Sequence, residues 1–139
     1  MKDTIRFGIS MSTYLLHDFD RLISKRGYKS RSEAIRDIIR ERLVDQEWFD
    51  PHKETIGTIT LVYSHEVREL AAVLTSLEHD YYKNILSSMH IHLDPHNCLE
   101  VLIVRGKSGI IKKIADRLTS TKGVRHGKLT MSTIGKKLT

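Results

Sequence analysis

From Ile5 to Met11 the chain alternates, with Ile5, Phe7, Ile9 and Met11 apolar and Arg6, Gly8 and Ser10 polar or small. A period of two marks a short, half-buried strand. The period then lengthens: Leu15, Leu16, Phe19, Leu22 and Ile23 recur at helical spacing, and Gly27 is a natural breaker, so a helix is predicted over about 12–26. Ser30 and Glu33 have the spacing at which a hydroxyl and a carboxylate satisfy each other's orphan amides, opening a second helix with the stripe Ile35, Ile38, Ile39 and Leu43. A β-α-α module leaves its one strand without a partner. Two copies solve this by pairing their strands into an antiparallel ribbon that buries the odd-numbered face and leaves Arg6, Gly8 and Ser10 outside.

Asp50-Pro51-His52-Lys53-Glu54 is polar and holds one of only two prolines, which places a linker at 51–54. Residues 55–64 then alternate as a strand, with Ile59, Leu61 and Tyr63 on one face, and 66–80 carry the helical stripe Val67, Leu70, Leu74 and Leu77. Residues 86–93 and 98–105 read as a hairpin around the turn-forming Asp94-Pro95-His96-Asn97. A helix with Ile110, Ile111, Ile114 and Leu118 ends near Gly123 and leads to a last strand through Leu129 and Met131. The expected class is therefore α+β: a β-α-α module over 1–50, a linker at 51–54, and over 55–139 a βαββαβ order, which is that of a ferredoxin-like domain.

With 139 residues divided between two small domains, neither has much core of its own, and oligomerisation is expected. The net charge of +6 permits an anionic partner. The excess is local, since residues 21–42 hold eight Lys or Arg against three acids. No apolar run is long enough to span a bilayer, and the opening MKDTIRFGIS lacks the apolar core of a signal peptide, so a cytoplasmic protein without membrane partners is expected. A single cysteine excludes an intrachain disulfide and leaves Cys98 as buried filler, reactive thiol or metal ligand.

The sharpest chemical signal is His90-Ile91-His92 followed by Cys98. Residues two apart on a strand share a face, so both imidazoles address one point, with Met89, Ile91 and Leu93 expected toward the core. Cys98 joins them only if it sits opposite His92, which an odd-numbered loop such as 93–97 allows. Imidazoles with one thiolate suit nickel, copper or zinc and suit magnesium or calcium poorly. A fourth ligand is available in His79, which lies about 200° around its helix from Leu77 and so points away from that helix's apolar stripe. His52 and His96 read as exposed loop residues, His17 has no grouping, and His65 and His126 stay as second-site or second-shell candidates.

At the N-terminal end, a two-stranded ribbon fits the major groove of B-DNA, where Arg6 could read guanine O6 and N7. Ser30 and Arg31 at the start of helix two could hold a phosphate. Glu33 and Asp37 share a face and could take a hard cation, although Arg36 and Arg40 at i,i+3 spacing could equally neutralise them.

These residues resemble a family. Gly27-Tyr28 followed by Arg31-Ser32-Glu33-Ala34-Ile35-Arg36-Asp37, then His79, His90-Ile91-His92, Cys98-Leu99-Glu100 and Gly123-Val124-Arg125-His126 are similar in order and spacing to the signatures of the nickel-responsive regulators (NikR) of bacteria and archaea. The resemblance runs end to end. It implies a ribbon-helix-helix DNA-binding module joined to a ferredoxin-like (ACT-type) metal-binding domain, assembled as a homotetramer with two DNA-binding dimers. It implies one square-planar Ni(2+) per subunit, held by His90, His92 and Cys98 of one chain and His79 of its neighbour, and a second cation at Glu33 and Asp37. It implies a repressor of nickel-uptake genes whose binding to double-stranded operator DNA is enhanced by nickel. Gly8 departs from the family's usual hydroxyl residue, so the operator does not transfer.

Two other readings stand beside this one. The same architecture could sense another late transition metal or a small ligand. A zinc enzyme would keep three ligands and a water, with Glu100 as general base. A fourth ligand in His79 closes that site, and no catalytic activity is expected.

Overall fold

The computed structural model describes residues 3–139, which divide into two compact units between Arg40 and Glu41. In the first unit, α1 (Thr13–Lys25) opens on Ser12, whose hydroxyl accepts from the Leu15 amide at 3.3 Å. It ends in a left-handed turn at Gly27 (φ 83°), with Tyr28 N–H donating to Ile23 O and Gly27 N–H to Ser24 O. That pair of bonds closes the helix end and requires the positive φ that glycine tolerates. The next helix, α2 (Arg31–Phe49), starts after Ser30, whose hydroxyl accepts from the Glu33 amide at 3.2 Å. Ahead of α1, residues 5–11 form no strand within the single chain, and Ile5, Phe7, Ile9 and Met11 are exposed.

The second unit contains β1 (Glu54–Ser64), α3 (Leu70–Asp80), β2 (Ile85–His92), β3 (Asn97–Lys107), α4 (Ser108–Thr119) and β4 (Val124–Met131). The four strands form one antiparallel sheet in the order β2-β3-β1-β4, the ferredoxin-like arrangement. Its core joins Ile59, Leu61 and Tyr63 of β1 and Leu102 and Val104 of β3 to Leu70 and Leu74 of α3 and Ile111, Ile114 and Leu118 of α4.

The end of α2 belongs to this core. Trp48 is 2% exposed, and its indole N–H donates to Ser132 O at 2.9 Å. Lys112 Nζ donates to Trp48 O, Ser108 Oγ to Asp50 O, and the amides of Ser108 and Gly109 to Lys53 O and Pro51 O. Residues 51–54, expected as a linker, are thus tied down at the start of α4, and the compact units divide at Arg40/Glu41 instead. An aromatic ring on α2 outweighs the polar composition that follows it.

One expectation is corrected. Met89, Ile91 and Leu93 do not face the core: they are 62%, 41% and 52% exposed. The covered face of the sheet is set by β1, whose odd positions pair with even positions of β3. Because β3 is apolar on both faces, alternation along β2 located an apolar face without revealing which face the helices cover. The sheet therefore keeps an open apolar side that includes Met89, Ile91 and Ile103.

Candidate metal centre and nucleic-acid interface

The hairpin of β2 and β3 sets the register of the metal candidates. His92 pairs with Cys98 and His90 with Glu100, so all four stand on one face, as the five-residue loop 93–97 predicts. The turn is fastened at several points. Asp94 accepts from the amides of His96 and Asn97 at 2.8 and 2.7 Å, and the Asn97 side chain donates to its other oxygen at 3.0 Å. The Asn97 amide and these two N–H groups hold the Asp94 carboxyl down to about 2.

β1 reaches the same place from the other side, because Tyr63 is the cross-strand partner of Cys98. The residues just beyond β1 then lie against the hairpin turn. His65 N–H donates to His96 O at 3.2 Å, His65 Nε2 lies 2.9 Å from Pro95 O, and Glu66 bonds His96 Nδ1 at 2.5 Å. Among the described residues, the side chains that can together hold a metal are His65, His90 and His92, all exposed, with one ligand atom of each within 4.8 Å of the others. The His65 and His92 rings pack edge to face at 5.3 Å, and those of His90 and His92 lie 5.2 Å apart.

Cys98 is wholly buried beside this cluster, with Sγ donating to Tyr63 O at 3.4 Å. Burial pushes its thiol pKa up. His79 is exposed near the end of α3, on the outward side that its distance from Leu77 predicts, and does not join the cluster within one chain. Sequence reasoning placed His90, His92 and Cys98 together and left His65 outside the principal set. The signal that could have found it is the sheet order, which seats the end of β1 next to the β2–β3 turn.

Opposite His90 on β3 stands the buried Glu100, which interacts with the half-buried Glu78. Glu100 accepts from the Tyr63 hydroxyl at 2.9 Å. Burial, and next the neighbouring Glu100, push Glu78 up to about 8, while its Oε1 is buried without a hydrogen-bond partner. Glu100 is thus engaged inside the fold and is not presented to a substrate.

In the first unit Arg6, Gly8 and Ser10 are exposed along the segment ahead of α1. Ser30 serves as the cap of α2, and Arg31 makes a two-pronged bond to Asp20 at 2.8 and 2.8 Å. Asp37 accepts from Tyr28 Oη at 3.0 Å and from Arg40 at 2.8 Å, the i,i+3 pairing expected from the sequence; Glu33 lines the same shallow pocket with Arg36. Ile5, Phe7, Ile9, Met11, Leu16 and Phe19, together with polar side chains that include Arg6, Ser10, Arg31 and Arg36, line an open groove of about 880 Å³.

Comparison with known proteins finds two family models along the chain. Residues 56–132 match the family model described as the NikR C terminal nickel binding domain, and residues 5–46 match ribbon-helix-helix protein, copG family. The first is described as a nickel-binding domain, and neither describes an enzyme. Relatives named "Putative nickel-responsive regulator" include one from Geobacter metallireducens, 55% identical over 99% of both chains. Another, from Caldanaerobacter subterraneus, is 56% identical over 99% of this chain and 90% of its own. A third, from the archaeon Thermococcus onnurineus, is 53% identical over 96% of both. Among solved structures, an uncharacterized protein of Thermotoga maritima shares the fold over 55% of this chain and 95% of its own, with TM-score 0.50 and 17% identity. With a nickel-binding domain model covering more than half of its length and full-length relatives above 50% identity, the chain belongs to the nickel-responsive regulator family.

Proposed function

We propose that this protein is a transcriptional repressor whose binding to operator DNA is tightened by nickel, with one Ni(2+) per subunit held by His90, His92, Cys98 and a neighbouring chain's His79. The observation that carries the reading is the register: His92 opposite Cys98, with His90 on the same face. Two imidazoles and a thiolate fit a late first-row ion, which would hold Cys98 deprotonated near neutral pH despite its burial. When bound, the metal supplies a rigid link between the hairpin of one chain and α3 of another.

The chain's own residues supply the rest. The unpaired apolar segment from Ile5 to Met11 and the groove beside it are complementary to the same segment of a second copy, giving the antiparallel ribbon with Arg6, Gly8 and Ser10 outward. The open apolar sheet face and outward His79 support assembly of these dimers into a homotetramer. Ser30 and Arg31 would contact the DNA backbone, Arg31 by releasing Asp20. Glu33 and Asp37 would take a second cation only by loosening the Arg40 pair.

The test is duplex binding across nickel, copper, zinc, cobalt and magnesium, with wild type beside His79→Ala. Nickel is expected to tighten wild-type binding most, and His79→Ala to lose that response. An equal response to every metal, or to none, would replace nickel with another signal.

A further inference from the structure

Arg31 is the first residue of α2 and lines the same groove as Arg6 and Ser10. Its guanidinium fork is already occupied. Nε and Nη2 donate to the two carboxylate oxygens of Asp20 on α1, each at 2.8 Å, so an acid of the same chain takes the paired bonds that a DNA phosphate would take. We propose that Asp20 is an intrachain competitor for DNA phosphate, which lowers the protein's affinity for any duplex and leaves base reading and nickel to decide where it binds. This rests on Arg31 being a contact to the DNA backbone and adds the residue that restrains it.

Two observations set this pair apart from an ordinary surface ion pair. Arg21 and Arg40 pair with Asp18 and Asp37, three residues away on their own helices, as helical spacing alone provides. Asp20 and Arg31 lie 11 residues apart and join α1 to α2, so the fold of the unit brings them together. The second observation is charge. Residues 21–42 hold eight Lys or Arg against three acids, and Asp20 reaches from just ahead of that stretch to the arginine that opens α2. The hydrogen bond from Arg31 holds the Asp20 carboxyl below its usual range, which keeps the competitor charged at neutral pH.

The restraint is graded. The Arg31 and Asp20 side chains remain 55% and 40% exposed, and an exposed pair of this kind favours its closed form by only about 1.5- to 5-fold. A phosphate, which offers the same paired acceptors with more charge, therefore displaces Asp20 at a modest loss of affinity. Every duplex bears that loss alike, because the backbone carries no sequence information.

The experiment measures binding of the full chain, at one salt concentration, to a duplex selected in the presence of nickel and to a scrambled duplex of equal length. Wild type is compared with Asp20→Asn, Arg31→Ala and the double variant, with circular dichroism to confirm that each is folded. Arg31→Ala is expected to weaken both complexes. Asp20→Asn, which keeps the size of the side chain and removes its charge, is expected to tighten both by about threefold and to leave the nickel-thiolate absorption unchanged. In the Arg31→Ala background the same substitution is expected to have little effect, since the competitor then has no guanidinium to hold. Weaker or unchanged binding by Asp20→Asn overturns the inference and makes Asp20 a support for Arg31. Equal tightening in both backgrounds also overturns it, by reducing the effect to net charge. An Arg31→Ala variant that binds both duplexes as wild type does removes the backbone contact itself, and with it the reading on which the inference rests.

Discussion

His92 and Cys98 are direct cross-strand partners, joined by the five residues 93–97 and standing on the same face of the hairpin. Strand alternation makes that pairing sensitive to loop length, because a slip of one residue moves every side chain to the opposite face. Inserting one glycine between Pro95 and His96 is therefore expected to abolish the nickel-thiolate absorption as completely as Cys98→Ala. Absorption spectra of the two variants beside wild type check this, with circular dichroism to show that the sheet persists.

Trp48 anchors the end of α2 in the second unit through burial and its bond to Ser132 O. Trp48→Ala is expected to cost about 3–5 kcal/mol, the range for removing a large buried aromatic. Urea denaturation of the metal-free protein measures it. A cost below about 1 kcal/mol would place the ring outside the cooperative core.

Glu78 makes the stability of the metal-free protein depend on pH. Its folded pKa, about 8, lies above the ordinary 4.5, so the protonated form is the one the fold favours. The stability it contributes is full below about 4.5 and is lost as pH rises through 8. Melting temperature should fall across that window in wild type and fall less in Glu78→Gln, with the variant the more stable at pH 8.

Arg6 tests the proposed two-chain ribbon and its DNA-facing side. Arg6→Ala is expected to weaken specific DNA binding by about 1–3 kcal/mol and to relax selectivity, leaving nickel binding untouched. Anisotropy titrations on matched and mismatched duplexes separate a base-reading residue, which narrows the difference between them, from a backbone contact, which weakens both alike.

Much of this was legible in the sequence because it depends on short-range periodicity. Ser12, Gly27 and Ser30 mark the helix boundaries by local hydrogen bonding, and the His-x-His alternation with an odd loop predicts the His92–Cys98 register. What escaped depends on contacts distant in the chain. The covered face of the sheet was misassigned because β2 is apolar on the side that the helices leave open, and only the pairing of β1 with β3 decides between the faces. His65 was kept only as a second-site or second-shell candidate and Trp48 was not singled out, because their partners, Pro95 and Ser132, lie 30 and 84 residues away. Composition made 51–54 resemble a linker, whereas backbone bonds from the start of α4 make it part of the second unit. Nickel itself could not be read from spacing, since imidazole and thiolate also suit copper and zinc.

The central claim, that nickel occupancy controls DNA binding, is tested most directly by the affinity of the wild-type protein for a selected duplex with and without one equivalent of nickel per chain, at fixed salt. The duplex is chosen beforehand by selection from random sequence in the presence of nickel. At least tenfold tighter binding with nickel, about 1.4 kcal/mol, is predicted, and it should vanish in Cys98→Ala. Equal affinity with and without nickel would contradict the account.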